Sequence, residues 1–196
     1  MRASPGSFNR AALVAALATA LAAGLLAGCG RTPPAVDPSQ VGVERFEPGE
    51  RPALPTVAGN TLAGAPLDLT DLRGNVVVLN SWASWCGPCL IEMPLLIDAA
   101  ARYRDRGVTV IGLNALDEEA NATAFVEDLG ITFESIRDAD GATLASLPGV
   151  PPRALPNTLI IDPQGDIAAR IIGPVEEPML TEILDDVLGE SAEGMG

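Results

Sequence analysis

The chain has 196 residues, the size of one domain with additions, and 47% of them are apolar, ample for a core. It holds no histidine, and all 12 basic residues are arginine, which excludes Ser-His-Asp and Cys-His catalysis, histidine-ligated metals, Schiff-base lysines and the phosphate-loop lysine. All 26 acidic residues follow Gly28, against ten of the 12 arginines, so the body carries 10 minus 26, or −16: a solvated acidic surface or one that prefers basic partners, repelled by nucleic-acid phosphates either way.

Residues 1–10 contain Arg2 and Arg10 and no acid, and Ala11–Gly28, AALVAALATALAAGLLAG, follow without a charge. This charged-then-apolar order predicts a secretory signal over residues 1–28. The length also permits a short membrane anchor, although so much alanine makes a weak span. LAGC, Leu26–Cys29, resembles a bacterial lipobox. In a lipobox the cysteine is lipidated and becomes the mature amino terminus, and several acyl chains hold firmly where one is marginal. An uncleaved helix with an incidental Cys29 is the alternative. Both place the remainder outside the cytoplasmic membrane and tethered to it. Residues 29–53 are rich in proline and charge and lack a sustained period, which predicts a flexible tether.

A domain is expected over residues 54–190, where the pattern becomes regular. NVVVLNSW (Asn75–Trp82) is a β-branched run that predicts a buried strand. Ile91, Leu95, Leu96, Ala99 and Tyr103 recur at helical spacing after it, and Gly107 ends that helix. VTVIGLN (Val108–Asn114) predicts a second strand, Asp117–Gly130 a helix, and Thr132–Ile136 a short strand. Asn157–Asp162 and Asp166–Ile172 predict a hairpin around PQG, and Glu176–Leu188 a closing amphipathic helix. Strand and helix alternate first, and a hairpin and a helix follow, which is an α/β layer fold with a mixed sheet.

SWASWCGPCLIEMP (Ser81–Pro94) sets Cys86 and Cys89 around Gly87 and Pro88. Such a pair closes a disulfide, supplies half of a metal site, or packs. Zinc needs four ligands, and with no histidine and only Cys29 besides, no metal is expected. The pair follows a predicted strand and opens a helix, the context of a redox CxxC. A structural bridge is the alternative in an oxidising compartment, though so small a loop constrains the unfolded chain little. In the redox reading Cys86 lies at the first helical turn, where unpaired N–H groups and the helix dipole favour its thiolate, and it is the nucleophile. Cys89, a turn further in, resolves the mixed disulfide. Pro88 suits the first turn, and Pro94 should kink the helix. The resolving thiol must lose a proton, and without histidine or lysine only a carboxylate, an amino terminus or water can take it. Glu92, three residues after Cys89 on the same helix face, is the candidate, with an ordinary surface glutamate as the alternative.

The region from Leu54 to Leu188 resembles the thioredoxin superfamily, and more narrowly the membrane-tethered thiol–disulfide oxidoreductases of the TlpA/ResA kind. The resemblance rests on WCGPC after a strand, on Pro94, on LPNTLIID, and on the strand-helix segment inserted between the cysteines and that proline loop. It implies a thioredoxin-like three-layer α/β fold, a central mixed sheet flanked by helices. It also implies a glutamate, here Glu92, beneath the active site, where partial burial raises its pKa. The cis-proline of the superfamily falls at Leu155–Pro156, whose backbone would pair with an extended substrate. Trp85, Gly87 and Pro88 would join Leu155 and Pro156 in the substrate-facing surface; a half-buried core aromatic is the alternative for Trp85. The chain departs from ordinary thioredoxin at Asn80, where a buried aspartate is usual, which makes Glu92 more necessary.

The resemblance implies a thiol–disulfide oxidoreductase that needs no cofactor beyond the Cys86–Cys89 disulfide. It implies protein disulfide substrates, apocytochrome c among them, and a membrane thiol-electron transporter as reductant. Three other readings stay open: an oxidase that installs disulfides in exported proteins, a peroxiredoxin-like peroxidase, and an anchored binding protein with an inert disulfide.

Overall fold

The structure, a computed structural model, describes residues 42–193. Among the described residues eight strands form: β1 (Gly42–Arg45), β2 (Ala58–Asn60), β3 (Pro66–Asp68), β4 (Val76–Trp82), β5 (Val108–Ala115), β6 (Ser135–Asp138), β7 (Asn157–Ile161) and β8 (Ile167–Ile172). The helices are α1 (Gly87–Tyr103), α2 (Glu119–Leu129), α3 (Ala142–Ser146) and α4 (Glu177–Glu193). Six strands make one sheet in the order β1-β8-β7-β4-β5-β6, and β2 and β3 form a small hairpin. β4, β5 and β6 run parallel, whereas β7 opposes β4, β8 opposes β7 and β1 opposes β8.

Every residue of β4 is buried, and its apolar run Val76–Leu79 suits a strand covered on both faces. Alternate side chains point opposite ways. Val76 and Val78 join a cluster with Met93, Leu96, Leu180 and Leu184 of α1 and α4, and with Ala122 and Phe125 of α2. Val77 and Leu79 join a second cluster with Val57, Leu69, Leu144 and Leu147, from the segments around the hairpin and α3. The sheet is thus the middle of three layers, the mixed α/β arrangement expected. α1 runs through Pro94 as one helix, passes into a tight turn over Arg104–Arg106, and ends at Gly107 in the left-handed region, φ 81°.

Three differences from the expected elements have physical causes. The strand expected over Thr132–Ile136 lies at Ser135–Asp138, because its pairing with β5 from Gly112 to Ala115 sets its position, not its own composition. α3 has five residues, too few to display a helical period. Of the tether expected over residues 29–53, residues 42–53 belong to the folded body. β1 pairs along its whole length with β8, from Gly42↔Ile172 to Arg45↔Ala169. Ile167 donates its N–H to Pro52 O at 2.8 Å. The buried Arg51 guanidinium binds Asp162 at 3.0 Å and also reaches Glu190. All four side chains of β1 are exposed; the strand is held by main-chain pairing and by surface ion pairs from Glu44 to Arg170 and from Arg45 to Glu182 and Asp186, and carries no hydrophobic alternation to read. The predicted leader and Cys29 lie outside the described residues. Among the described residues no helix is long and apolar enough to cross a membrane.

Candidate active site

β4 ends at Trp82, and the chain turns through Ala83–Trp85 into α1. Cys86 is the residue before the helix, in extended conformation, and its sulfur accepts the Cys89 N–H at 3.3 Å. It therefore caps a helix terminus whose first N–H groups have no partner within the helix. Cys86 and Cys89 are joined, with an S–S distance of 2.01 Å. Both are buried, Cys89 completely, while Gly87 and Pro88 between them are exposed.

Glu92 lies one turn beyond Cys89 and is only 3% exposed. Its Oε1 accepts from Asn80 Nδ2 of β4 at 2.8 Å, and its Oε2 accepts the Val175 N–H, before α4, at 2.8 Å. Burial pushes its carboxyl from 4.5 up to about 7, although the bonds from Val175 and Asn80 pull the other way. A surface glutamate is therefore not what the fold makes of it. Asn80 Nδ2 also reaches Thr158 Oγ1 at 3.0 Å, so the amide ties α1 to β7 through β4.

The Leu155–Pro156 bond is cis. Pro156 precedes Asn157, which pairs with Ser81, so the proline stands beside the end of β4 that leads to the cysteines. Leu155 is half-buried and Pro156 buried. Trp85 is 60% exposed, which removes the core-aromatic alternative, and its indole N–H donates to Leu116 O at 3.0 Å. Leu90 and Ile91 on the first turns of α1 are exposed as well. Cys86, Cys89 and Glu92 thus share one helix, with Trp85 before them and Pro156 at the same end of the sheet. Cys29 lies outside the described residues. Among the described residues no group of three or more histidine, cysteine or carboxylate side chains converges.

Sequence reasoning missed Ser84, Leu116 and Asp117. Asp117 is buried and accepts the Ser84 N–H at 2.6 Å and the Ser84 hydroxyl at 2.8 Å. In the sequence it reads as an acid opening a helix, and only the alignment of the ends of β4 and β5 brings it to Ser84, two residues before Cys86. Nothing in the sequence signals that Leu116 adopts φ 57°.

Residues 51–170 match the model of the AhpC/TSA family. The thiol-disulfide oxidoreductase ResA of Bacillus thuringiensis is 32% identical over 133 residues, covering 68% of this chain and 75% of that protein. The crystal structure of a DsbF homologue from Corynebacterium diphtheriae superposes with a TM-score of 0.71 at 32% identity, over 78% of this chain and 97% of that one. A secreted thiol-disulfide isomerase from Corynebacterium glutamicum gives a TM-score of 0.71 at 31% identity, over 81% and 96%. With a helix-capping disulfide at the end of the central strand and these likenesses together, the chain belongs to the AhpC/TSA family of thioredoxin-like proteins, among its ResA-type thiol–disulfide oxidoreductases.

Proposed function

We propose that this oxidoreductase works outside the cytoplasmic membrane, held there through a lipidated Cys29, and reduces disulfides of exported proteins, apocytochrome c among them. The observation that carries the reading is Glu92: a carboxyl buried one turn from the resolving cysteine, with its pKa near neutrality in a chain without histidine or lysine. The secreted corynebacterial relative and the leader of the sequence support the location.

In the reduced protein the Cys86 thiolate attacks one sulfur of the substrate disulfide. A Cys86–substrate S–S bond forms, and the other substrate sulfur leaves as a thiolate and takes up a proton. Cys89 then gives its proton to ionised Glu92 and attacks the Cys86 sulfur. The mixed disulfide breaks, the second substrate sulfur leaves as a thiolate and is protonated in turn, and the Cys86–Cys89 bond forms. The substrate gains two electrons and the protein loses two; a membrane dithiol donor restores them. Trp85, Gly87, Pro88, Leu155 and Pro156 face the substrate. Neither the amide nor the carbonyl of Leu155 has a hydrogen-bond partner among the described residues, which leaves them for an extended peptide.

Direction follows from the stability of the Cys86 thiolate. The helix N–H groups favour it, but no lysine or histidine adds charge, and an ionised Glu92 opposes it. A redox titration against dithiothreitol is expected to give a reducing potential, on the order of −250 mV. A value near about −120 mV would reverse the direction and make the protein an oxidase. The mass of the mature amino terminus tests the anchor: an acylated Cys29 is expected, and cleavage elsewhere or an intact Met1 refutes it.

A further inference from the structure

Two turns far apart in the sequence meet beside the disulfide. Ala83–Trp85 carries β4 into Cys86, and Leu116–Asp117 carries β5 toward α2. Asp117, 7% exposed, takes the Ser84 N–H on Oδ2 at 2.6 Å and the Ser84 hydroxyl on Oδ1 at 2.8 Å. Its other two bonds, from Asn114 Nδ2 at 3.0 Å and the Glu118 N–H at 2.9 Å, hold the carboxylate itself in place. Capping α2 does not explain it, because Glu118 is the residue at that helix's N-cap.

The neighbouring residue makes the second tie. Leu116 O accepts the Trp85 indole N–H at 3.0 Å. Leu116 sits at φ 57°, a left-handed conformation that a bulky side chain adopts only when its surroundings impose it. Gly141 leaves room for this: a Cβ there would stand 2.6 Å from Leu116 Cδ2. An indole that is 60% exposed is thus held by a single hydrogen bond to a strained residue.

We infer that the Leu116–Asp117 turn is a clamp and that Asp117 is a positioning residue: through Ser84, and through Leu116 to Trp85, it fixes the segment entering Cys86 and the surface that a protein disulfide meets. This rests on the reading of Cys86 as the attacking thiol and of Trp85 as part of the substrate surface. Displacing groups around a nucleophile by a fraction of an ångström costs rate out of proportion to stability.

The test is a double-mutant cycle on the intact mature domain, read as kcat/KM for reduction of insulin disulfides. Asp117→Ala is expected to lower it roughly ten-fold, and the milder Ser84→Ala by roughly three-fold. The double variant is expected to fall no further than Asp117→Ala, because the two side chains act as one unit. Ile167→Ala, in the core at the opposite end of the sheet, is the control for stability and is expected to lower the melting temperature without the loss in kcat/KM. Additive losses, a wild-type kcat/KM in Asp117→Ala, or an equal loss in Ile167→Ala would overturn the clamp. A second readout needs no substrate: solvent exchange of the Trp85 indole N–H, assigned by its disappearance in Trp85→Phe, is expected to accelerate in Asp117→Ala, and unchanged exchange counts against the clamp. Wild-type protein that reduces no protein disulfide would sink the proposed function instead, and indole exchange would then decide the clamp alone.

Discussion

Glu92 shows how one side chain couples folding to chemistry. Its folded pKa of about 7 lies above its ordinary 4.5, so the native state holds the proton more tightly than the unfolded chain does. The stabilisation from that proton is fully present below pH 4.5 and is lost as pH rises through about 7. The shift corresponds to on the order of 3 kcal/mol. Denaturant unfolding of the oxidised protein is expected to show stability falling between pH 5 and pH 8, and Glu92→Gln is expected to flatten that slope. In the proposed mechanism the same substitution removes the proton acceptor for Cys89. Stopped-flow resolution of the mixed disulfide is expected to slow on the order of a hundred-fold at neutral pH and to lose its inflection near pH 7. A wild-type rate profile would return Glu92 to a purely structural role. The place of Glu92 was legible in the sequence because a helix sets residues three apart on one face, and Asn80 was legible only through the resemblance, as the position where ordinary thioredoxin has a buried aspartate. Asp117 was not, because Ser84, the partner that ties it to the segment entering Cys86, lies more than thirty residues away and meets it through strand pairing.

Among the elements, β4 and β5 were readable from their β-branched runs, and α1 and α4 from their period. What composition could not give was the packing between neighbours. Gly112 in the middle of β5 is an example. A Cβ there would stand 2.6 Å from Trp82 Nε1 and closer still to Ser135 Oγ, the two atoms that form a buried hydrogen bond at 3.2 Å. The glycine is what lets that bond cross the strand, and in sequence it looks like a weak point in a strand. Gly112→Ala is expected to break the bond, to displace Trp82 from its stacking on Phe125, and to destabilise the fold by about 2 kcal/mol or more. Thermal unfolding measures the loss. Because Trp82 ends the strand that leads to the cysteines, the redox potential of this variant is expected to move as well.

At the scale of the whole molecule, the sheet's two covered faces follow from the continuous apolar runs of β4 and β5, and the position of the disulfide at one end follows from the cysteines' place directly after β4, both displayed in the sequence. The extent of the folded body does not, because β1 contributes backbone and no core. That strand has a consequence for how the protein is handled. A fragment beginning at Leu54 lacks β1 and presents β8 as the outermost strand, with a row of unpaired N–H and C=O groups over Ala169–Ile172, most of it apolar. Such a row is a template for another copy of the chain. The same cut removes Arg51, the cation paired with the Asp162 carboxylate. Light scattering is expected to find concentration-dependent association in a fragment starting at Leu54 and none of it in one starting at Gly42, and equal behaviour of the two would refute this. β1 is an edge strand too, but a short and exposed one carrying Glu44 and Arg45, so the four residues that look most like spacer are expected to replace an apolar template by a charged one.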